Sequence, residues 1–190
     1  MKNFRKINNL EKKIILDSIF KISSKILALF KKIESELFIS LNGSDPKKNY
    51  PSVFLIQENL VQIIQNFTPQ INLCSAGLYF GFIKKNQFYL SLEGTEFLDD
   101  LGIFSEKYKI LVNDRGEKSL FYGNQVLKKF IFKIPKNLKK NDFLLIKNKE
   151  NELIALGRAQ LDYQSIKYLN SKEVVALNLI DKGTYLRTSQ

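Results

Sequence analysis

Five short apolar runs, at residues 107–112, 126–134, 142–147, 152–159 and 173–179, follow one another closely in the second half of the chain. Strands of that length at that spacing close on themselves as a small barrel or sandwich, rather than alternating with helices as βαβ units. The first half is organised differently. Leu10, Ile14, Ile15, Ile19, Ile22, Ile26, Leu29, Phe30 and Ile33 recur at helical spacing, which predicts one long amphipathic helix over 10–34. Residues 37–41 and 52–56 read as strands, separated by an exposed loop containing Asn42-Gly43-Ser44-Asp45-Pro46. A helix over about 58–67, stopped near Pro69, comes next. The apolar runs 78–83 and 87–92, joined by Lys84-Lys85-Asn86, form a hairpin, and a short helix covers 93–101 with Asp99-Asp100 at its polar end. The expected class is α+β, with an N-terminal α/β domain carrying a small antiparallel sheet over residues 1–103 and an all-β domain over 104–190.

Charge shifts at the same boundary. Residues 1–100 hold 13 Lys+Arg and 10 Asp+Glu, an excess of 3, whereas residues 101–190 hold 17 and 9, an excess of 8. The whole chain of 190 residues stands at +11. Such an excess favours a polyanion: RNA, DNA or an anionic membrane. The chain contains no His and a single cysteine, Cys74, in an apolar stretch, where it reads as a small core residue. Histidine-based nucleophile machinery, His or Cys-rich metal sites and an internal disulfide are thereby excluded. No apolar run reaches the ~18 residues a membrane-spanning helix needs. The basic N-terminus reads as a helix of the folded domain, not as a cleaved targeting segment.

No catalytic constellation and no Gly-rich phosphate cradle is present, so a non-catalytic binding protein without metal or cofactor is favoured. The informative segment is 107–140. Its ten cations, Lys107, Lys109, Arg115, Lys118, Lys128, Lys129, Lys133, Lys136, Lys139 and Lys140, are opposed only by Asp114 and Glu117. Tyr108, Phe121, Tyr122, Phe130 and Phe132 are interleaved with them. Cations attract phosphates, and flat rings give bases a face to stack on. On a continuous strand, alternation sets Phe130 and Phe132 opposite Lys129, Ile131 and Lys133, so these rings read equally well as core. Gly123 ends a short helix by a left-handed turn, Gly183 permits a tight turn before a last strand, and Tyr122 and Tyr185 read as core aromatics with a wet hydroxyl.

Three stretches carry a family resemblance. Lys118-Ser119-Leu120-Phe121-Tyr122-Gly123-Asn124-Gln125-Val126-Leu127-Lys128 resembles the helix–Gly–strand signature of a PUA domain. Asp181-Lys182-Gly183-Thr184-Tyr185-Leu186-Arg187 and Ser75-Ala76-Gly77-Leu78-Tyr79-Phe80-Gly81-Phe82 resemble a closing motif and a first-half motif. All three resemble the Nip-seven (nuclear import protein seven) family of ribosome-biogenesis factors. The resemblance implies an N-terminal α/β domain that docks on proteins, followed by a PUA β pseudobarrel that binds RNA against its glycine loop, the strand after it and the closing strand. Carried over by motif, the RNA-binding candidates are Gly123, Asn124, Gln125, Lys128, Lys182, Tyr185 and Arg187. The charge argument adds Lys129 and Lys133.

The resemblance also implies a non-enzymatic adaptor in 60S subunit biogenesis and pre-rRNA processing, acting in the nucleus and nucleolus, or in the cytoplasm if the source lacks a nucleus. Its implied partners are pre-rRNA and proteins of the pre-60S particle, such as an rRNA methyltransferase, the exosome and a late ribosome-maturation factor. The chain is expected as a monomer or in a hetero-complex, with no membrane. One competing class is an accessory subunit or specificity domain of an RNA-modifying enzyme, since PUA domains accompany such enzymes. The other is a peripheral membrane protein using the helix 10–34.

Overall fold

The computed structural model of the chain describes residues 4–41, 50–67 and 75–187. The expected loop at 42–49, the stop at Pro69 and the core role of Cys74 lie outside the described residues. Internal contacts divide the chain into two compact units, Met1–Ile103 and Phe104–Gln190.

The first unit is a five-stranded antiparallel sheet in sequential order: β1 (Phe4–Lys6), β2 (Leu37–Ser40), β3 (Ser52–Leu55), β4 (Leu78–Lys84) and β5 (Gln87–Leu90). Strand β1 has too few residues, two of them basic, to show an alternating pattern. It exists because Phe4, Arg5 and Lys6 pair in register with Ser40, Ile39 and Phe38. The connecting helices are α1 (Asn9–Phe20), α2 (Ile26–Ile33), α3 (Glu58–Phe67) and α4 (Leu92–Asp100). Helix α1 packs on β5 and α4 on β4, while Ile15, Ile19, Phe80, Phe88 and Leu98 are buried. Val61 of α3 packs on the cluster of Phe4, Phe38, Phe54 and Ile56.

The single helix expected over 10–34 is in fact two. Ser23 is buried, and its hydroxyl donates to the carbonyl of Ile103 at 2.9 Å. Its N–H bonds back to the Ile19 carbonyl, and a new start forms where the Ile26 N–H donates to the Ser23 carbonyl. Serine hydroxyls compete with helical backbone bonds, and here one is used to tie the break to the end of the unit. The start of α1 is firmly set: the Asn8 side chain accepts from the Glu11 N–H at 2.9 Å, and the Glu11 carboxylate accepts from the Asn8 N–H at 2.8 Å. Arg5 grips the same carboxylate at 2.7 Å. Burial pushes the Glu11 carboxyl up, but the bonds from Arg5 and Asn8 outweigh it and leave its pKa below the ordinary value.

The second unit is a six-stranded sheet built from β6 (Lys109–Val112), β7 (Val126–Leu127), β8 (Ile131–Lys133), β9 (Phe143–Lys147), β10 (Leu153–Ala159) and β11 (Val174–Asp181). Their order is β7-β11-β10-β9-β6-β8, with only β6 and β9 parallel. The run 126–134, expected as one strand, is split by a 3₁₀ turn at Lys128–Phe130 into β7 and β8. These two lie at opposite ends of the strand order, so one turn of chain holds the two sheet ends together and nearly closes a barrel. Inside it pack Ile110, Val112, Leu120, Val126, Leu144, Ile146, Ile154 and Val175. Helices α5 (Asp114–Phe121), α6 (Tyr163–Ile166) and α7 (Thr184–Arg187) complete the unit. The fold is therefore α+β: an antiparallel sheet with helices, then a nearly closed barrel.

The split overturns the alternation argument for the aromatics. Phe130 is buried in the 3₁₀ turn, whereas Phe132 on β8 is 68% exposed. Tyr122 is 80% exposed rather than core, because the helix has already ended at Phe121. Among the described residues no strand follows Gly183; the chain turns into the short α7 instead. Gly183 is needed for close approach, because a Cβ there would collide with the carbonyl oxygen of Phe121. The side chain of Tyr185 lies outside the described residues.

Candidate nucleic-acid interface

Helix α5 links both ends of the candidate surface. Its N-cap is Asn113, whose side-chain oxygen accepts from the Gly116 N–H at 3.0 Å. The same side chain donates from Nδ2 to the Lys129 carbonyl at 3.1 Å, and the Asn113 N–H donates to the Phe130 carbonyl at 2.8 Å. One asparagine thus pins the helix start to the barrel corner. Asn113, Asp114, Arg115, Lys129 and Phe130 line a pocket of about 370 Å³ at this corner. Asp114 is occupied by Lys149 at 2.9 Å, which holds its carboxyl below the usual range. Arg115 and Lys129 have no acidic partner among the described residues, and the Lys129 ammonium lies 5.0 Å from the Phe130 ring centroid.

At its other end α5 closes on Gly123, at φ +83°, a left-handed value that favours a residue without Cβ. The Gly123 N–H donates to the Leu120 carbonyl at 2.7 Å and the Asn124 N–H to the Ser119 carbonyl at 3.2 Å. Strand β11 and helix α7 then lock this loop. The Asn178 N–H donates to the Gln125 side-chain oxygen at 2.7 Å, and Asn178 Nδ2 donates to the Asn124 carbonyl at 3.2 Å and to Asp181 at 2.8 Å. Arg187 donates to the Phe121 carbonyl and forks onto the Asp181 carboxylate at 3.1 and 3.0 Å. The two C-terminal sequence motifs therefore meet in one hydrogen-bonded network.

That network assigns structural work to several candidates. Gly123, Asn124, Gln125 and Arg187 are brought together, but the polar groups of Gln125 and Arg187 are engaged in hydrogen bonds within the unit. Lys128 is also engaged: its ammonium donates to the carbonyls of Lys167 at 2.8 Å and Leu169 at 2.6 Å. This hook carries Tyr168, which is 88% exposed. Lys129 sits at the corner and is exposed. Lys133 lies apart on edge strand β8, where Glu106 approaches to 3.7 Å; Glu106 also meets Lys109 at 3.3 Å. The sequence window began one residue after Glu106 and so missed it. The Lys182 side chain is exposed, and its N–H donates to the Ile154 carbonyl. Asn113, Asn178, Asp181 and Tyr168 are not candidates on sequence reasoning alone. Only Asp181 carried a signal, as the first residue of the closing motif.

Residues 108–190 match the UPF0113 PUA domain, and residues 4–92 match the pre-PUA domain of the NIP7/UPF0113 group. The chain belongs to the NIP7/UPF0113 family. The 60S ribosome subunit biogenesis protein nip7 of Schizosaccharomyces pombe is 27% identical over 136 residues, covering 71% of this chain and 73% of its own. The corresponding homolog of Dictyostelium discoideum is 29% identical over the same shares. A PUA domain from Aeropyrum pernix, solved as a tartrate complex, superposes with a TM-score of 0.65 at 13% identity over 96% of this chain and 88% of that one. That last likeness is one of fold. The 3₁₀ corner, the glycine loop and α7 thus belong to the PUA unit of a NIP7/UPF0113 protein.

Proposed function

We propose that this chain is a non-enzymatic RNA-binding adaptor in the assembly of the large ribosomal subunit. The PUA unit contacts pre-rRNA and the pre-PUA unit docks on a protein of the pre-60S particle, such as an rRNA methyltransferase, in the nucleolus where the source has one. Support for the assembly role comes from the family and from its relatives, which are 60S ribosome subunit biogenesis proteins. The observation that carries the RNA reading is the barrel corner, where Arg115 and Lys129, neither in an ion pair among the described residues, line one pocket whose acid, Asp114, is taken by Lys149. Unopposed cations neutralise phosphates, and an exposed ring such as Tyr168 supplies a stacking face. The docking role is supported by exposed Leu10 and Phe20 on α1 and Leu27 on α2, apolar groups left outside the core.

Ultraviolet crosslinking of the chain in its own cells, followed by sequencing of the bound RNA, tests this reading. The expected result is enrichment of large-subunit rRNA precursors. Enrichment confined to transfer RNA, or none above an untagged control, overturns it.

A further inference from the structure

The pre-PUA unit carries a partly exposed aromatic ladder. Strand β5 alternates: Phe88 and Leu90 are buried, whereas Gln87 and Tyr89 are exposed. Phe88 faces the helical side, where it stacks on Phe80 at 5.6 Å and its N–H donates to the Ser18 hydroxyl of α1 at 3.0 Å. Tyr89 points the other way and stacks on Phe82 at 5.2 Å with 12° between the planes. Phe80 and Phe82 are two residues apart, so regular pleating sets them on the same face. A register shift between Val53 and Phe54, opposite Gly81 at φ +152°, re-aims them to opposite faces. Phe82 also stacks on Tyr50, at 5.8 Å, and the Lys84 ammonium lies 4.6 Å from the Tyr50 ring centroid.

The result is a row of three near-parallel rings ending at the edge strand of the sheet. Helix α3 covers the neighbouring part of this face, around Phe54 and Tyr79, but the row itself stays partly open. Strands β3, β4 and β5 contain no acidic residue, and Lys85 at the β4–β5 turn is exposed. Contact with the Tyr50 hydroxyl holds the Lys84 ammonium above its ordinary pKa.

We propose that Tyr50, Phe82 and Tyr89, with Lys84 and Lys85, form a second contact for single-stranded RNA, in which an unpaired base extends the ring stack at Tyr89 and the lysines meet the flanking phosphates. Aromatic rings beside cations, with no acid on the same strands, match the chemistry of a single-stranded nucleic acid and oppose an acidic or purely apolar occupant. The site belongs to the pre-PUA unit and stands on its own geometry.

The test uses the full chain and fluorescent single-stranded oligouridine over a salt series. Tyr89→Ala is expected to weaken binding about fivefold or more at every salt concentration without changing the slope, since stacking is not ionic. Tyr89→Phe keeps the ring and is expected to retain wild-type affinity. Lys84→Gln is expected to flatten the slope by about 0.7. Photocrosslinking with 5-iodouridine RNA is expected to label the peptide containing Tyr89. Unchanged affinity in both Tyr89→Ala and Lys84→Gln, with crosslinks confined to residues 104–187, overturns the ladder and leaves the corner standing. An Arg115→Gln/Lys129→Gln variant that binds as wild type overturns the corner instead.

Discussion

The Arg187 guanidinium forks onto the Asp181 carboxylate, with its two nitrogens 3.1 and 3.0 Å from the two oxygens. Asp181 is only 2% exposed, and the same guanidinium donates to the Phe121 carbonyl at the end of α5. A planar two-pronged donor suits this task, and a lysine does not. The pair thus clamps the glycine loop of the PUA unit from the adjoining end of β11.

Removing the clamp strands a buried carboxylate. Arg187→Met is expected to destabilise the chain by about 2–3 kcal/mol, less than a fully buried pair because the guanidinium is partly solvated. Arg187→Lys is expected to recover only part of this. Urea unfolding of the three proteins checks the order.

Asn113 does two jobs, capping α5 and holding the Lys129 carbonyl. Asn113→Ala is expected to cost about 1–2 kcal/mol, and Asn113→Asp, which keeps the cap acceptor and loses the Nδ2 donor, less. Thermal unfolding separates the two contributions.

The contrast between cap and corner shows what could be read in the chain. Strand runs, hairpin and most helices were legible because apolar periodicity is local. The split of 126–134 was not, because the fate of Phe130 and Phe132 depends on which strands β7 and β8 pair with far along the chain. Gly123 announced its left-handed cap through residue type. Lys128 reads as a free cation because the carbonyls it binds carry no sequence signal, and the Phe121 carbonyl that Arg187 reaches carries none either.

The acid side of the stability profile belongs partly to Glu11. Its folded pKa is depressed by Arg5 and Asn8 against the opposing effect of burial. A depressed carboxylate contributes stability above its unfolded pKa and loses it as pH falls through the folded value. Glu11→Gln is expected to lower stability at neutral pH and to flatten its decline below the ordinary carboxylate range, as read from unfolding midpoints in a pH series.

Lys128 is expected to act on the hook and not on RNA phosphates. In Lys128→Met, amide hydrogen exchange at residues 167–170 is expected to accelerate, because two carbonyl anchors are lost.

The salt dependence of single-stranded RNA binding tests the central claim most directly. Each neutralised phosphate contributes about −0.7 to the slope of log affinity against log salt. Arg115→Gln/Lys129→Gln is expected to flatten the slope by about twice that amount, while Lys128→Met leaves it unchanged. A slope untouched by the double variant, or flattened equally by Lys128→Met, contradicts the assignment of the RNA-facing cations to the barrel corner.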